Sequence, residues 1–213
     1  MWDTRSHTDQ IDLLDLFIGG TVVGIAVKGG VILAADRKAA YRNYVQGYMK
    51  KVFKITERVG IAGMGIMGDM GYFVKLLQRY ATLYEMDTGK EIGAKALASL
   101  AGSILHSRRD FPLIIECVVG GYENDKPTVI SLDLLGAQLA DPFTACGTGA
   151  ETALGTLEEW YREDMPLEEA EKLAIRAIRA SSKRDIATGL GIDILIITKK
   201  GIQERFVPQE KLV

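Results

Sequence analysis

Apolar and polar positions along the chain change their spacing several times, and each change marks an element. Thr21–Val27 and Val31–Ala35 are short β-rich runs joined by Lys28-Gly29-Gly30, which reads as a hairpin. Two more strands are expected at Val52–Ile55 and Val59–Ala62, separated by the charged turn Thr56-Glu57-Arg58. From Asp69 to Tyr84 the apolar residues Tyr72, Val74, Leu76, Leu77, Tyr80 and Leu83 fall at helical spacing, and Ile92 to His106 repeats that pattern. Beyond Pro112 the chain returns to strands at Leu113–Val119, Thr128–Leu132 and, more briefly, Phe143–Ala145. Helices follow at Glu151–Tyr161 and Leu167–Ser181. The second has Pro166 beside its first turn and the acidic start Glu168-Glu169, both favourable at a helix N-terminus. Ile192–Thr198 and Gln203–Val207 close the chain as strands.

Strands, two helices, strands, two helices, strands is an α+β order. Antiparallel hairpins would form two sheets with apolar inner faces, and each helix pair can cover one outer face. The expected architecture is a four-layer αββα sandwich, with no repeat or linker to divide it. A chain of 213 residues can bury such a core without disulfide staples. Its formal net charge of -2 gives no electrostatic pull toward nucleic acid or anionic membrane. Cys117 and Cys146 sit among apolar neighbours and read as inert core thiols, as in a reducing cytosol. His7 and His106 are too few and too far apart for a zinc cluster.

The first twenty residues differ from the rest. Met1 to Gln10 is polar, and Ile11 to Ile18 carries Asp12 and Asp15, so neither a secretory signal nor a membrane helix is written there. Residues 1–20 read as a leader that ends in a flexible Gly19-Gly20 pair, and 21–213 as the folded domain.

Gly63-Met64-Gly65-Ile66-Met67-Gly68 spells G-x-G-x-x-G between a strand and a helix, the context of a dinucleotide site. No second strand separates that helix from Asp87, however, so no βαβ unit could hold the acid against a ribose. A tight strand-to-helix turn is the better reading, and Gly147-Thr148-Gly149 is a turn of the same kind. Asp36-Arg37, Lys50-Lys51 and Arg184-Asp185 would each, taken alone, be solvated turn charges.

Their joint pattern says more. Val23-Gly24-Ile25, the run Val31–Arg37 (VILAADR), Lys50–Ile55 (KKVFKI), Gly65–Asp69 (GIMGD), Gly147–Gly149 and Lys183–Gly189 (KRDIATG), followed by Gly191-Ile192-Asp193, resemble archaeal proteasome β-subunits in family order. The resemblance covers nearly everything after the leader. It implies an N-terminal nucleophile hydrolase in which a leader is cut off after a glycine to expose a threonine. That hydroxyl attacks a peptide carbonyl while the freed α-amine, with a pKa near 8, or a water beside it takes the proton. By resemblance Lys51 would supply positive charge beside the nucleophile, Asp36 would hold Lys51, and Asp185 would support the network with Thr148 and Thr188. Gly65 would offer an oxyanion N–H. Met49, Gly63 and Met67 would fall near the specificity pocket.

The nucleophile is where this chain departs from the pattern. The family start reads Gly-Thr-Thr-x-Val-Gly, whereas this chain has Gly19-Gly20-Thr21-Val22-Val23-Gly24. Four residues before Gly24 stands Gly20, and sixteen before Asp36 stands Gly20 again. Thr21 matches the second threonine, whose side chain on a strand points to the opposite face. Thr148 and Thr188 stand where the family has serines, and the loop from Asp36 to Lys51 is one residue shorter. The expectation is a noncatalytic, ring-building β-subunit. The alternative is an active threonine endopeptidase that uses Thr21 after removal of residues 1–20. The resemblance further implies a cytoplasmic particle with α-subunits and other β-subunits in a heptameric ring, fed with unfolded protein by an ATPase. It implies no cofactor or metal, no nucleic acid and no membrane.

Overall fold

The computed structural model of the chain describes residues 19–41 and 44–212, so the leader proper, 1–18, lies outside the described residues. Strands β1 (Val22–Val27), β2 (Gly30–Asp36), β10 (Phe143–Cys146), β11 (Ile192–Thr198) and β12 (Gly201–Val207) form one sheet in the order β10-β1-β2-β11-β12. Strands β5 (Val52–Lys54), β6 (Val59–Gly65), β7 (Ile115–Glu123), β8 (Lys126–Leu132) and β9 (Gln138–Ala140) form a second in sequence order. A separate hairpin joins β3 (Lys38–Tyr41) to β4 (Tyr44–Tyr48). All neighbouring strands are antiparallel.

Three apolar layers show why these strands stack. Val22, Ala26, Val31, Leu33, Ala35, Val52, Ala62, Met64, Val118, Val129, Leu195 and Ile197 meet between the sheets. Their alternates, among them Val23, Ile25 and Val27 of β1, face outward against α3 (Ala150–Trp160) and α4 (Leu167–Ser182). The opposite outer face packs Ile61, Cys117 and Val119 against α1 (Met67–Thr88) and α2 (Ala94–Ser107). Period-two alternation on strands and helical stripes on the covers thus yield the four-layer αββα sandwich expected from the sequence.

Several elements differ from the sequence expectation. The hairpin of β3 and β4 and the short β9 were not foreseen. Lys38-Ala39-Ala40-Tyr41 has no alternation, and Gln138-Leu139-Ala140 is exposed along its length. The first helix starts two residues earlier than expected and runs on to Thr88, where Gly89 adopts a left-handed conformation and its N–H returns to the Glu85 carbonyl. Strands β7 and β8 are longer than expected because Asn124 and Asp125, both at positive φ, close them in a two-residue turn. The Gly19-Gly20 pair, expected to be flexible, is buried and hydrogen-bonded instead.

Candidate active site

The ends of β1 and β2 bring the sequence-predicted residues together. Strand β1 pairs with β2 without a register shift, from Val22 opposite Ala35 to Val27 opposite Gly30, so neither a slip nor a bulge changes which face each residue shows. Thr21 follows the parity of Val23 and turns toward the helix layer. Gly20 follows the parity of Val22.

Asp36 and Lys51 are both fully buried and form an ion pair, with Lys51 Nζ 2.9 Å from Asp36 Oδ1. Nζ also donates to the carbonyls of Gly19 (3.0 Å) and Lys38 (2.8 Å). Asp36 accepts from Thr21 N (2.8 Å) on Oδ1, and from Lys38 N (2.9 Å) and Gly189 N (3.1 Å) on Oδ2. Burial pushes the Asp36 carboxyl up from its usual range and the Lys51 ammonium down, and each charge opposes the shift of the other.

Gly20 lies directly before this pair. A Cβ added there would meet Lys51 Nζ at 2.2 Å and Asp36 Oδ1 at 2.4 Å, at a φ of +141° that favours glycine. The Thr21 hydroxyl lies elsewhere: it is fully buried and 2.7 Å from Thr188 Oγ1. Thr188 Oγ1 donates to Asp185 Oδ2 at 2.5 Å, and Thr148 Oγ1 donates to the same oxygen at 2.7 Å. Because the carboxylate only accepts, the Thr21 hydroxyl is the donor to Thr188. Gly20 N donates to Thr148 Oγ1 at 2.9 Å. The predicted residues therefore fall into two groups, Lys51 with Asp36 and Asp185 with three threonines, and the Gly20 backbone runs between them.

Gly65 ends β6 at a φ of +127°, where a Cβ would meet the Ile114 carbonyl at 2.1 Å, so glycine is required by close backbone approach. Gly63 N donates to the Lys51 carbonyl, but a Cβ on Gly63 would face Cys117 and Met70 in the helix layer. Met67 packs against that same core. Met49 donates its N–H to Arg37 O.

Sequence reasoning missed the support around Asp36. The Arg37 guanidinium grips Asp193 with two 2.6 Å hydrogen bonds and lies 4.0 Å from the Phe206 ring centre. Arg37 N reaches the carbonyls of Gly189 and Gly191, and Lys38 Nζ reaches Ile186 O. Asp69 Oδ2 accepts from Ile114 N and ties α1 to the residue that leads into β7. A signal for the first was the pairing of an arginine beside Asp36 with an aspartate on a buried strand, across 156 residues. Cys117 is buried and Cys146 half-buried, both are free, and burial pushes the Cys117 thiol up to about 12, so neither is an activated nucleophile. Among the described residues no group of histidine, cysteine and carboxylate side chains could hold a metal ion. No helix there is long and apolar enough to cross a membrane.

An αββα sandwich with a buried lysine–aspartate pair at the entry to its first strand has the fold of N-terminal nucleophile hydrolases. Within that class the chain belongs to the proteasome subunit family, whose model matches residues 16–197. It is an archaeal-type β-subunit. It is 46% identical over 187 residues to proteasome subunit beta 1 of Thermococcus kodakarensis, covering 87% of this chain and 92% of that one. It is 39% identical over 191 residues to proteasome subunit beta 2 of Thermococcus gammatolerans, covering 89% and 95%. Over 200 residues it is 38% identical to proteasome subunit beta 2 of Pyrobaculum calidifontis, covering 93% and 98%.

Proposed function

We propose that this chain is a noncatalytic β-subunit that builds the ring of a proteasome core particle beside a catalytically active β partner. The observation that carries the reading is the glycine before the Lys51–Asp36 pair. Gly20 has no side chain with which to attack a carbonyl; the Thr148 hydroxyl accepts from Gly20 N and donates to Asp185, and the Thr21 hydroxyl donates to Thr188 on the other side of the backbone. In the active members that this chain resembles, charge beside the nucleophile favours the alkoxide and the neutral amine. Here that charge faces backbone. The supporting roles of Asp185, Thr148 and Thr188, and of Gly65 as an oxyanion donor, would then be inherited positions without a reaction to serve.

The particle would be cytoplasmic, with α-subunits on one side, other β-subunits beside and opposite, and seven subunits to a ring. Its substrates would be unfolded polypeptides delivered by an ATPase, cut by the partner subunits. Residues 1–20 would stay attached or be trimmed by a neighbour.

Intact-mass measurement of this subunit after assembly with α and β partners, with and without a threonine-reactive epoxyketone, tests the reading. The expected result is a full-length or neighbour-trimmed chain without adduct. A chain beginning at Thr21 and carrying the adduct would make Thr21 the nucleophile and overturn the proposal.

A further inference from the structure

The retained charge pair needs an account if it performs no proton transfer, and its hydrogen bonds supply one. An ammonium has three N–H donors, and all three on Lys51 are used, by the carbonyls of Gly19 and Lys38 and by Asp36. A carboxylate offers about four acceptor sites, and Asp36 fills them with Lys51 Nζ and the N–H groups of Thr21, Lys38 and Gly189. No valence of either group is left to reach a substrate.

What these bonds hold is the peptide entering β1. Gly19 O goes to Lys51, Gly20 N to Thr148, Gly20 O receives Gly149 N at 3.2 Å, Thr21 N goes to Asp36 Oδ1, and Thr21 O receives Asp36 N at 3.2 Å. Five consecutive backbone polar groups are thus paired, as in a bound peptide. Neither glycine has room for a side chain. A Cβ on Gly19 would meet Ala187 Cβ at 2.7 Å and Thr148 Oγ1 at 2.8 Å, and one on Gly20 would begin where Lys51 Nζ sits.

We propose that in this chain the Asp36–Lys51 pair is a clamp that seats Gly19–Thr21 in the site, so that the chain's own backbone closes it and the leader is kept. The proposal rests on the noncatalytic reading and assigns the pair a positioning role: it joins the leader junction to β2, β3 and the loop at Gly189. The two glycines are part of the device, because they let the junction lie flat against the pair. A clamp of this kind makes the Gly19–Gly20 bond a poor target for a neighbouring protease while the ion pair stands.

Hydrogen–deuterium exchange on the full-length chain tests the clamp. In the wild-type chain the amides of Gly20 and Thr21 should exchange as slowly as those inside β1. Lys51→Met should speed exchange at Gly20 and Thr21 by about ten- to a hundredfold, the scale of one lost charge-assisted bond, and leave β7 and β8 unchanged. Limited proteolysis of that variant should release the leader at the glycines. Removing one partner leaves Asp36 buried and unpaired, so the double variant Asp36→Asn/Lys51→Met, which removes both charges, is measured beside it and should show the same local release. Unchanged exchange at Gly20 and Thr21 in both variants would overturn the clamp. So would acceleration spread evenly over β1, β2 and β11. An epoxyketone adduct on wild-type Thr21 would overturn the noncatalytic reading itself, whereas unchanged exchange without an adduct would overturn the clamp alone.

Discussion

Arg37 shows how one side chain near the site ties distant segments together. Its guanidinium makes a two-point contact with Asp193, whose side chain is only 6% exposed, while its flat face stacks on Phe206. Its own N–H reaches back to the loop that carries Asp185 and Thr188. The Asp193 carboxylate pushes the guanidinium's pKa up through those hydrogen bonds. A lysine there would keep the charge but could neither fork onto both carboxylate oxygens nor stack. Arg37→Lys is therefore expected to lower stability by about 1–2 kcal/mol, on the scale of one charge-assisted hydrogen bond, read as a fall in the urea midpoint at unchanged slope. The one-residue displacement of Thr21 was legible in the sequence because Gly24 and Asp36 count back to the same Gly20. The saturation of Lys51 and Asp36 was not legible, since five of their partners are backbone groups, the carbonyls of Gly19 and Lys38 and the N–H groups of Thr21, Lys38 and Gly189, and carry no sequence signature.

At the scale of elements, strands with clean apolar alternation were readable and those without it were not. The ladder of β1, β2 and β11 follows from Val, Ile and Leu at both faces, whereas β9 is an exposed edge on β8 and the hairpin of β3 and β4 pairs only within itself, neither with an apolar alternation to announce it. Glycine placement between the sheets was likewise hidden. A Cβ on Gly24 of β1 would lie 2.8 Å from Val118 Cγ1 and 2.9 Å from Val129 Cγ1, both buried branched side chains. Gly24→Ala should accordingly cost about 1–3 kcal/mol through overpacking. In β4, by contrast, a Cβ on Gly47 meets nothing within 4 Å, and Gly47→Ala should change stability by no more than about 0.5 kcal/mol. Denaturant unfolding of the two variants side by side checks the contrast. Equal costs would mean that the sheet spacing yields to an added methyl group.

On the scale of the whole molecule, the outer face of α1 is what an isolated domain would not need. Tyr80, Leu83 and Met86 follow at three-residue steps, on one side of the helix, with 42%, 53% and 76% of their surface exposed. The inner side of the same helix buries Met70, Phe73, Val74, Leu77 and Ala81 and accounts for its folding. Scattered exposed apolar residues are ordinary, and a row of large ones along a helix is the surface a partner would cover. A ring-building subunit would need such surfaces even with no reaction of its own. The double variant Leu83→Asp/Met86→Asp separates the two demands on α1. Both side chains lie outside the core, so unfolding of the isolated chain should shift by no more than about 0.5 kcal/mol per site. Incorporation into the assembled particle, measured by native mass spectrometry with the α and β partners present, should fall sharply because two carboxylates would be desolvated at a contact. Normal incorporation would show that this face of α1 stays in solvent, and the ring contacts would then have to come from other elements.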